Sequence, residues 1–165
     1  PAPTYPDQDY AAGCKATTTE MVRERPTVKS LNYIGAIMAV EKAKRSGAIE
    51  ALYRTTDGHI TEGTRANFFV FKGEQLITPA AEILPGITRL AVLKLAAGRF
   101  AIVERAIHAD ELAEADEAFI TSSTKEVLPI VQIDDLVIGD GAPGAHTQTL
   151  LEQFRDYARS LPVRA

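Results

Sequence analysis

The chain has 165 residues, 45% of them hydrophobic, a formal charge of −4 and a pI of about 5.4, a size and apolar content that suit one domain with a sizeable core. With no block of Lys and Arg, nucleic acid is excluded as the main partner; with no run of about 18 apolar residues, a membrane-spanning helix is excluded too. Cys14 is the lone cysteine, which rules out an intrachain disulfide framework or a thiolate metal cluster, and with no charged-then-apolar leader the chain reads as cytoplasmic.

In chain order, residues 1–14 contain "PAPTYPDQDYAAG", rich in proline and without a clear period; they read as a linker. "KATTTEMVRE" (15–24) has strand character, being rich in Thr and Val. "YIGAIMAVEKAKRSG" (33–47) predicts a helix, with Ile34, Ile37, Met38 and Val40 as an apolar stripe and Gly47 as a stop. "ALYRTTDGHITEG" (51–63) reads as a hairpin about Asp57-Gly58, and "NFFVFKGEQLIT" (67–78) as a second about Lys72-Gly73. A helix is expected over 88–98, with apolar spacing at Leu90, Val92, Leu93, Leu95 and Ala96. A strand follows over 100–107, a short helix over 109–115, strands over 117–123 and 126–134, and a closing helix over 147–161. The fold class expected is mixed α/β: a strand-rich pseudo-barrel with outer helices, not a regular βαβ series.

Four stretches could carry chemistry. Lys29, after a strand and before a helix, is by local features a solvated charge; partly buried, its amine would attack a carbonyl. Glu62 abuts the very apolar "FFVF", where a carboxylate could pair with a buried cationic ring nitrogen. "LPGITR" (84–89) joins a turn to a helix start, whose free N–H groups attract anions, and Thr88 adds a hydroxyl. "TSSTKE" (121–126) puts the Ser122, Ser123 and Thr124 hydroxyls in a tight turn. Singly, each is ordinary turn or surface chemistry. Together they supply an amine for an aldehyde, a carboxylate for a pyridinium and two donor-rich turns for a phosphate, the three handles of pyridoxal 5′-phosphate. His59, His108 and His146 lack metal-ligand spacing.

"KSLNY", "TEGTRANFFVF", "LITPAAEILPGITR" and "ADEAFITSSTKEVLPI" resemble the ordered motifs of the class IV (fold type IV) pyridoxal-phosphate aminotransferases over roughly residues 15–140. The resemblance implies that Lys29 bonds to the cofactor aldehyde and then carries the proton between Cα and C4′. It implies that Glu62 faces the pyridine nitrogen, that Tyr33 hydrogen-bonds the phenolic oxygen, and that Asn67 supports Glu62. By the same resemblance Gly86, Ile87, Thr88 and Ser123 hold the phosphate, Thr124 meets the substrate carboxylate, and Arg89 is a helix-start charge and not a ligand. It further implies a homodimer acting on an amino acid and a 2-oxo acid. Residues 15–165 would be the cofactor domain and 1–14 the link to an N-terminal α/β domain for which this sequence has no room. Tyr33 favours branched-chain substrates. Thr64-Arg65, where branched-chain members often carry small residues, favours D-amino acids or R-amines. Aminodeoxychorismate lyase chemistry, and a cofactor domain inactive by itself, are the alternatives.

Overall fold

The structure is a computed structural model that describes residues 5–162. Its frame is a set of ten strands: β1 (Cys14–Glu20), β2 (Glu50–Arg54), β3 (His59–Gly63), β4 (Ala66–Lys72), β5 (Gln75–Thr78), β6 (Ala101–Glu104), β7 (Ile107–His108), β8 (Glu117–Ser122), β9 (Glu126–Ile133) and β10 (Leu136–Val137). Four α-helices accompany them: α1 (Asp7–Ala12), α2 (Ile34–Arg45), α3 (Ile87–Ala96) and α4 (Ala145–Ser160). A short 3₁₀ helix spans Ala109–Glu114.

Six strands close a barrel. The order β4-β8-β9-β1-β2-β3 returns on itself through a β3–β4 pairing. The β1–β2 and β1–β9 pairs are parallel, and α2 makes the crossover between β1 and β2. The other ring pairs are antiparallel. Closure removes the exposed edges an open sheet would present. The expected strand-rich barrel with outer helices is therefore present.

Strand β4 shows why the ring holds together. Its residues 66–71 are all buried, so it reads as a continuous apolar run and not as an alternation. Phe69 is in register with Phe119 of β8, and the two rings stack 4.7 Å apart. Phe68, Phe71, Ile120 and Leu128 are also wholly buried. Leu150 and Leu151 of α4 and Val92 and Ala96 of α3 join the same core. Glu117 seats the start of α4 by accepting the backbone N–H groups of His146 (3.0 Å) and Thr147 (2.7 Å), which satisfies two otherwise unpaired helix donors.

Several expectations are corrected. The strand expected over 15–24 stops at Glu20, because its partner β2 ends at Arg54, opposite Glu20, and the chain then turns. The strand expected over 100–107 is two strands. Its first part pairs in parallel with β5 and its end antiparallel with β3; β5 and β3 both run antiparallel to β4, so one straight segment cannot serve both. Of the apolar stripe expected on α2, only Val40 is buried. Ala36, Ala39, Val40 and Ala43 face the barrel, whereas Ile34, Ile37 and Met38 are exposed. Small side chains let this helix lie close to β1 and β2, a demand that a scale of hydrophobicity does not register. Residues 1–14, expected as a linker, carry helix α1, whose Tyr10 is buried; residues 1–4 lie outside the described residues.

Candidate active site

One row of the barrel builds the site floor. Glu62 on β3 is in register with Asn67 on β4, and Asn67 with Thr121 on β8. Residues directly opposite on neighbouring strands project to the same face, so the three polar side chains stand side by side. All three are buried, and all line a cleft of about 550 Å³.

The rim comes from three connections. Residues 21–33, between β1 and α2, bring Arg23, Lys29 and Tyr33. The irregular stretch 79–86 and the start of α3 bring Leu84, Gly86, Ile87 and Thr88. The β8–β9 turn brings Ser122, Ser123 and Thr124. Every expected site residue thus lines the same cleft, although they come from positions 29 to 124 of the chain. Lys29 is exposed and Tyr33 half-buried. Arg89 is not at the cleft: it donates to Glu104 (2.6 Å) and to the Pro79 carbonyl (3.0 Å).

Glu62 and Asn67 together fix the turn at Leu84. Leu84 N–H donates to Glu62 Oε2 at 2.9 Å, and Asn67 Nδ2 donates to the Leu84 carbonyl at 2.7 Å. Both backbone groups of Leu84 are thereby held. Gly86 follows closely: a Cβ there would stand 2.3 Å from Asn67 Oδ1. At this helix start no side chain caps the N–H groups, and the first i→i−4 bond to the cap residue is donated by Leu90 to Gly86. The N–H groups of Ile87 and Thr88 come before it, free for an anion.

Burial pushes the Glu62 carboxyl up to about 7, against the downward pull of the Leu84 N–H and of Arg23, while Glu50 adds to the rise. Arg23 Nε stands 3.2 Å from Glu62 Oε1, yet the N–H is not aligned for a hydrogen bond, and Oε1 has no hydrogen-bond partner among the described residues. Thr121 Oγ1 is likewise buried and unpartnered. Orphaned buried oxygens are rare in folded proteins; two in one cleft mark polar surface prepared for a ligand. Three groups here were not singled out in the sequence. Arg23 and Thr121 lie inside or beside quoted motifs, but neither carries a local sign of its role. Lys125 is the third: it is 1% exposed and pairs with Glu50, itself 0% exposed, at 3.1 Å. Among the described residues no three His, Cys, Asp or Glu side chains form a metal-holding group, and no helix is long and apolar enough to cross a membrane.

The barrel, the Glu62 row and the turn at 84–88 can now be set beside known proteins. The profile of the amino-transferase class IV family matches residues 1–133. The chain belongs to the class IV aminotransferases. Within that family it is 40% identical to a D-alanine aminotransferase of Bacillus licheniformis over 149 residues, which cover 88% of this chain and 52% of the relative. It is 35% identical to a branched-chain-amino-acid aminotransferase of Pseudomonas aeruginosa, covering 87% and 50%. Among solved structures, a branched-chain amino acid aminotransferase of T.th. complexed with N-(5′-phosphopyridoxyl)-L-glutamate superposes with a TM-score of 0.84 at 28% identity, over 89% of this chain and 52% of that one. The same enzyme with pyridoxamine 5′-phosphate gives 0.85. The chain spans about half the length of the curated relatives it matches.

Proposed function

We propose that this class IV aminotransferase chain is the domain that holds pyridoxal 5′-phosphate, over residues 15–165, in an enzyme that moves an amino group between an amino acid of branched-chain type and a 2-oxo acid. The observation that carries this reading is the convergence of Lys29, Glu62 and two donor-rich turns on one cleft. Bound there, the cofactor supplies an aldehyde for an amine and a conjugated ring that accepts the electrons of a deprotonated Cα.

The chain's own groups have distinct tasks. Lys29 would hold the cofactor through its amine and would serve as the base at the Cα proton. Glu62, whose Oε1 lies beside Arg23 but accepts no hydrogen bond among the described residues, offers its charge to a protonated ring nitrogen; a cation there favours the carboxylate over the acid. Tyr33 donates at the phenolic oxygen. The N–H groups of Ile87 and Thr88, the Thr88 hydroxyl and the Ser123 hydroxyl hold the phosphate, and Thr124 meets the substrate carboxylate. Gly86 and Asn67 keep the phosphate turn in place. An N-terminal α/β domain reached through residues 1–14, and a cytoplasmic homodimer, belong to the same reading; the matched relatives' twofold greater length supports the first.

Arg65 favours a second reading, transfer from D-amino acids. It is exposed at the cleft and makes no ion pair among the described residues. A guanidinium fork suits a carboxylate. A donor screen on the full-length protein with both enantiomers of leucine and alanine separates the two. Keto acid formed fastest from L-leucine supports the first reading, and fastest from D-alanine the second. No transfer from any of the four, with pyridoxal phosphate present, overturns both.

A further inference from the structure

We propose that Lys125, through its buried ion pair with Glu50, is a positioning residue for this cleft: it ties together the β3–β4 and β8–β9 turns and partly offsets the Glu50 charge that stands beside Glu62. The proposal rests on the cofactor-holding reading above, since it assigns Lys125 a part in shaping that site.

The geometry forms one continuous chain of contacts. Lys125 Nζ lies 3.1 Å from Glu50 Oε2. The other oxygen, Oε1, accepts the Thr64 hydroxyl and the backbone N–H groups of Thr64 (3.2 Å) and Ala51 (3.1 Å). Thr64 occupies the β3–β4 turn and is itself 0% exposed. Its carbonyl accepts Arg23 Nη2 at 3.3 Å, and Arg23 Nε reaches Glu62 Oε1 at 3.2 Å. On the opposite side, Lys125 N–H donates to Ser122 Oγ at 3.1 Å, and Tyr10 OH donates to the Lys125 carbonyl at 3.4 Å. Lys125 therefore closes the turn of Ser122, Ser123 and Thr124 with its backbone and reaches the other turn with its side chain. The next residue, Glu126, has a φ of 51°, in the left-handed region that non-glycine residues visit at a cost. A turn so bent stays bent only when its surroundings hold it.

Stability does not explain such a pair. Two charges at full burial lose their hydration, and well-packed apolar residues of similar volume do as well or better. What an apolar pair cannot do is hold Thr64 by both its hydroxyl and its backbone N–H, as Glu50 Oε1 does, or answer a neighbouring charge. Glu62 is faced by Arg23 from the 21–33 loop, by Glu50 and Tyr53 from β2, by Asn67 from β4 and by the Leu84 N–H; Lys29 and Arg65 line the same cleft. Of the carboxylates in that set, Glu50 raises the Glu62 pKa. With Lys125 removed, nothing at Glu50 Oε2 offsets that charge, since Oε2 has no hydrogen-bond partner among the described residues.

The test compares four forms of the full-length protein without cofactor: wild type, Lys125→Met, Glu50→Gln and the double variant. The Glu62 carboxyl is followed by carbon NMR across pH, with Glu62→Gln identifying its signal. Lys125→Met is expected to move the Glu62 midpoint up by about one pH unit. Glu50→Gln, which leaves an unanswered cation, moves it down, and the double variant returns it close to wild type. Pyridoxal phosphate affinity, measured by fluorescence, falls about tenfold in Lys125→Met and in the double variant, because both lose the tie between the turns. Should Lys125→Met fail to fold, Glu50→Gln against the double variant still reports the sign. Coincident midpoints in all folded forms, or affinity unchanged in the double variant, overturn the proposal. A wild type that binds no pyridoxal phosphate refutes the cofactor-holding reading instead, while the NMR comparison still decides the electrostatic claim.

Discussion

The carboxyl of Glu62 is 1% exposed, so its charge is decided by the few groups that touch it. One oxygen is occupied by Leu84 and Asn67; the other is left without a hydrogen bond. Lys29, by contrast, lies on a rim loop and is exposed. The two face one cleft in different settings: a buried carboxyl held by its neighbours, and an exposed amine on a loop. Lys29→Ala in the full-length protein should abolish the borohydride-fixed pyridoxyl adduct, read by peptide mass, while leaving the melting temperature nearly unchanged, since an exposed lysine on a loop holds little of the fold. An adduct that survives on another lysine would remove its assigned role. Lys29, Glu62 and Thr88, which line the cleft, could be picked out in the sequence because each sits in a motif. Arg23 and Lys125 could not, because a buried partner is named by its distance in space, and no spacing along the chain encodes it.

At the scale of elements, the stretch 79–88 shows how an irregular segment is made rigid. It has no ladder of its own, and the strand pair β3–β4 holds it through both backbone groups of Leu84. Gly86 is required there by proximity to Asn67 and not by its φ of −66°. Gly86→Ala should push Asn67 off Leu84. The expected loss is about 1 kcal/mol of stability, one net hydrogen bond, with a clear drop in pyridoxal phosphate affinity by titration; wild-type affinity would mean the turn is not held by Asn67. Helix α2 teaches the opposite lesson. Its periodicity identified a helix correctly, yet the face that packs is the alanine face. Depth of burial there is set by how near the barrel lies, and a sequence window does not contain the barrel.

For the whole molecule, the closed ring places Glu62, Asn67 and Thr121 in one row, and the burial that closure imposes has a pH signature. Glu62 ionises near 4.5 in a solvated chain and near 7 in the fold. Between those values the folded state keeps a proton that the unfolded state has released, so this group's contribution to stability is full below about 4.5 and is lost as pH rises to about 7. The fall attributable to this group is of the order of 3 kcal/mol. Urea midpoints of the cofactor-free, full-length protein from pH 4.5 to 8 should show it, and Glu62→Gln should flatten it; parallel curves would show that Glu62 is not the source. By itself the sequence determined most of the strand and helix content, both hairpins, and the four motifs that name the family, because these depend on local turn chemistry and on residue identity. Only the tertiary structure decided that β3 and β4 close a ring, that the 100–107 segment divides between two partners, that α2 packs by its alanines, and that Glu50 and Lys125 share a charge in the interior. Each of those outcomes depends on which distant segments lie within a few ångströms of one another, and that distance is fixed by the folded chain as a whole.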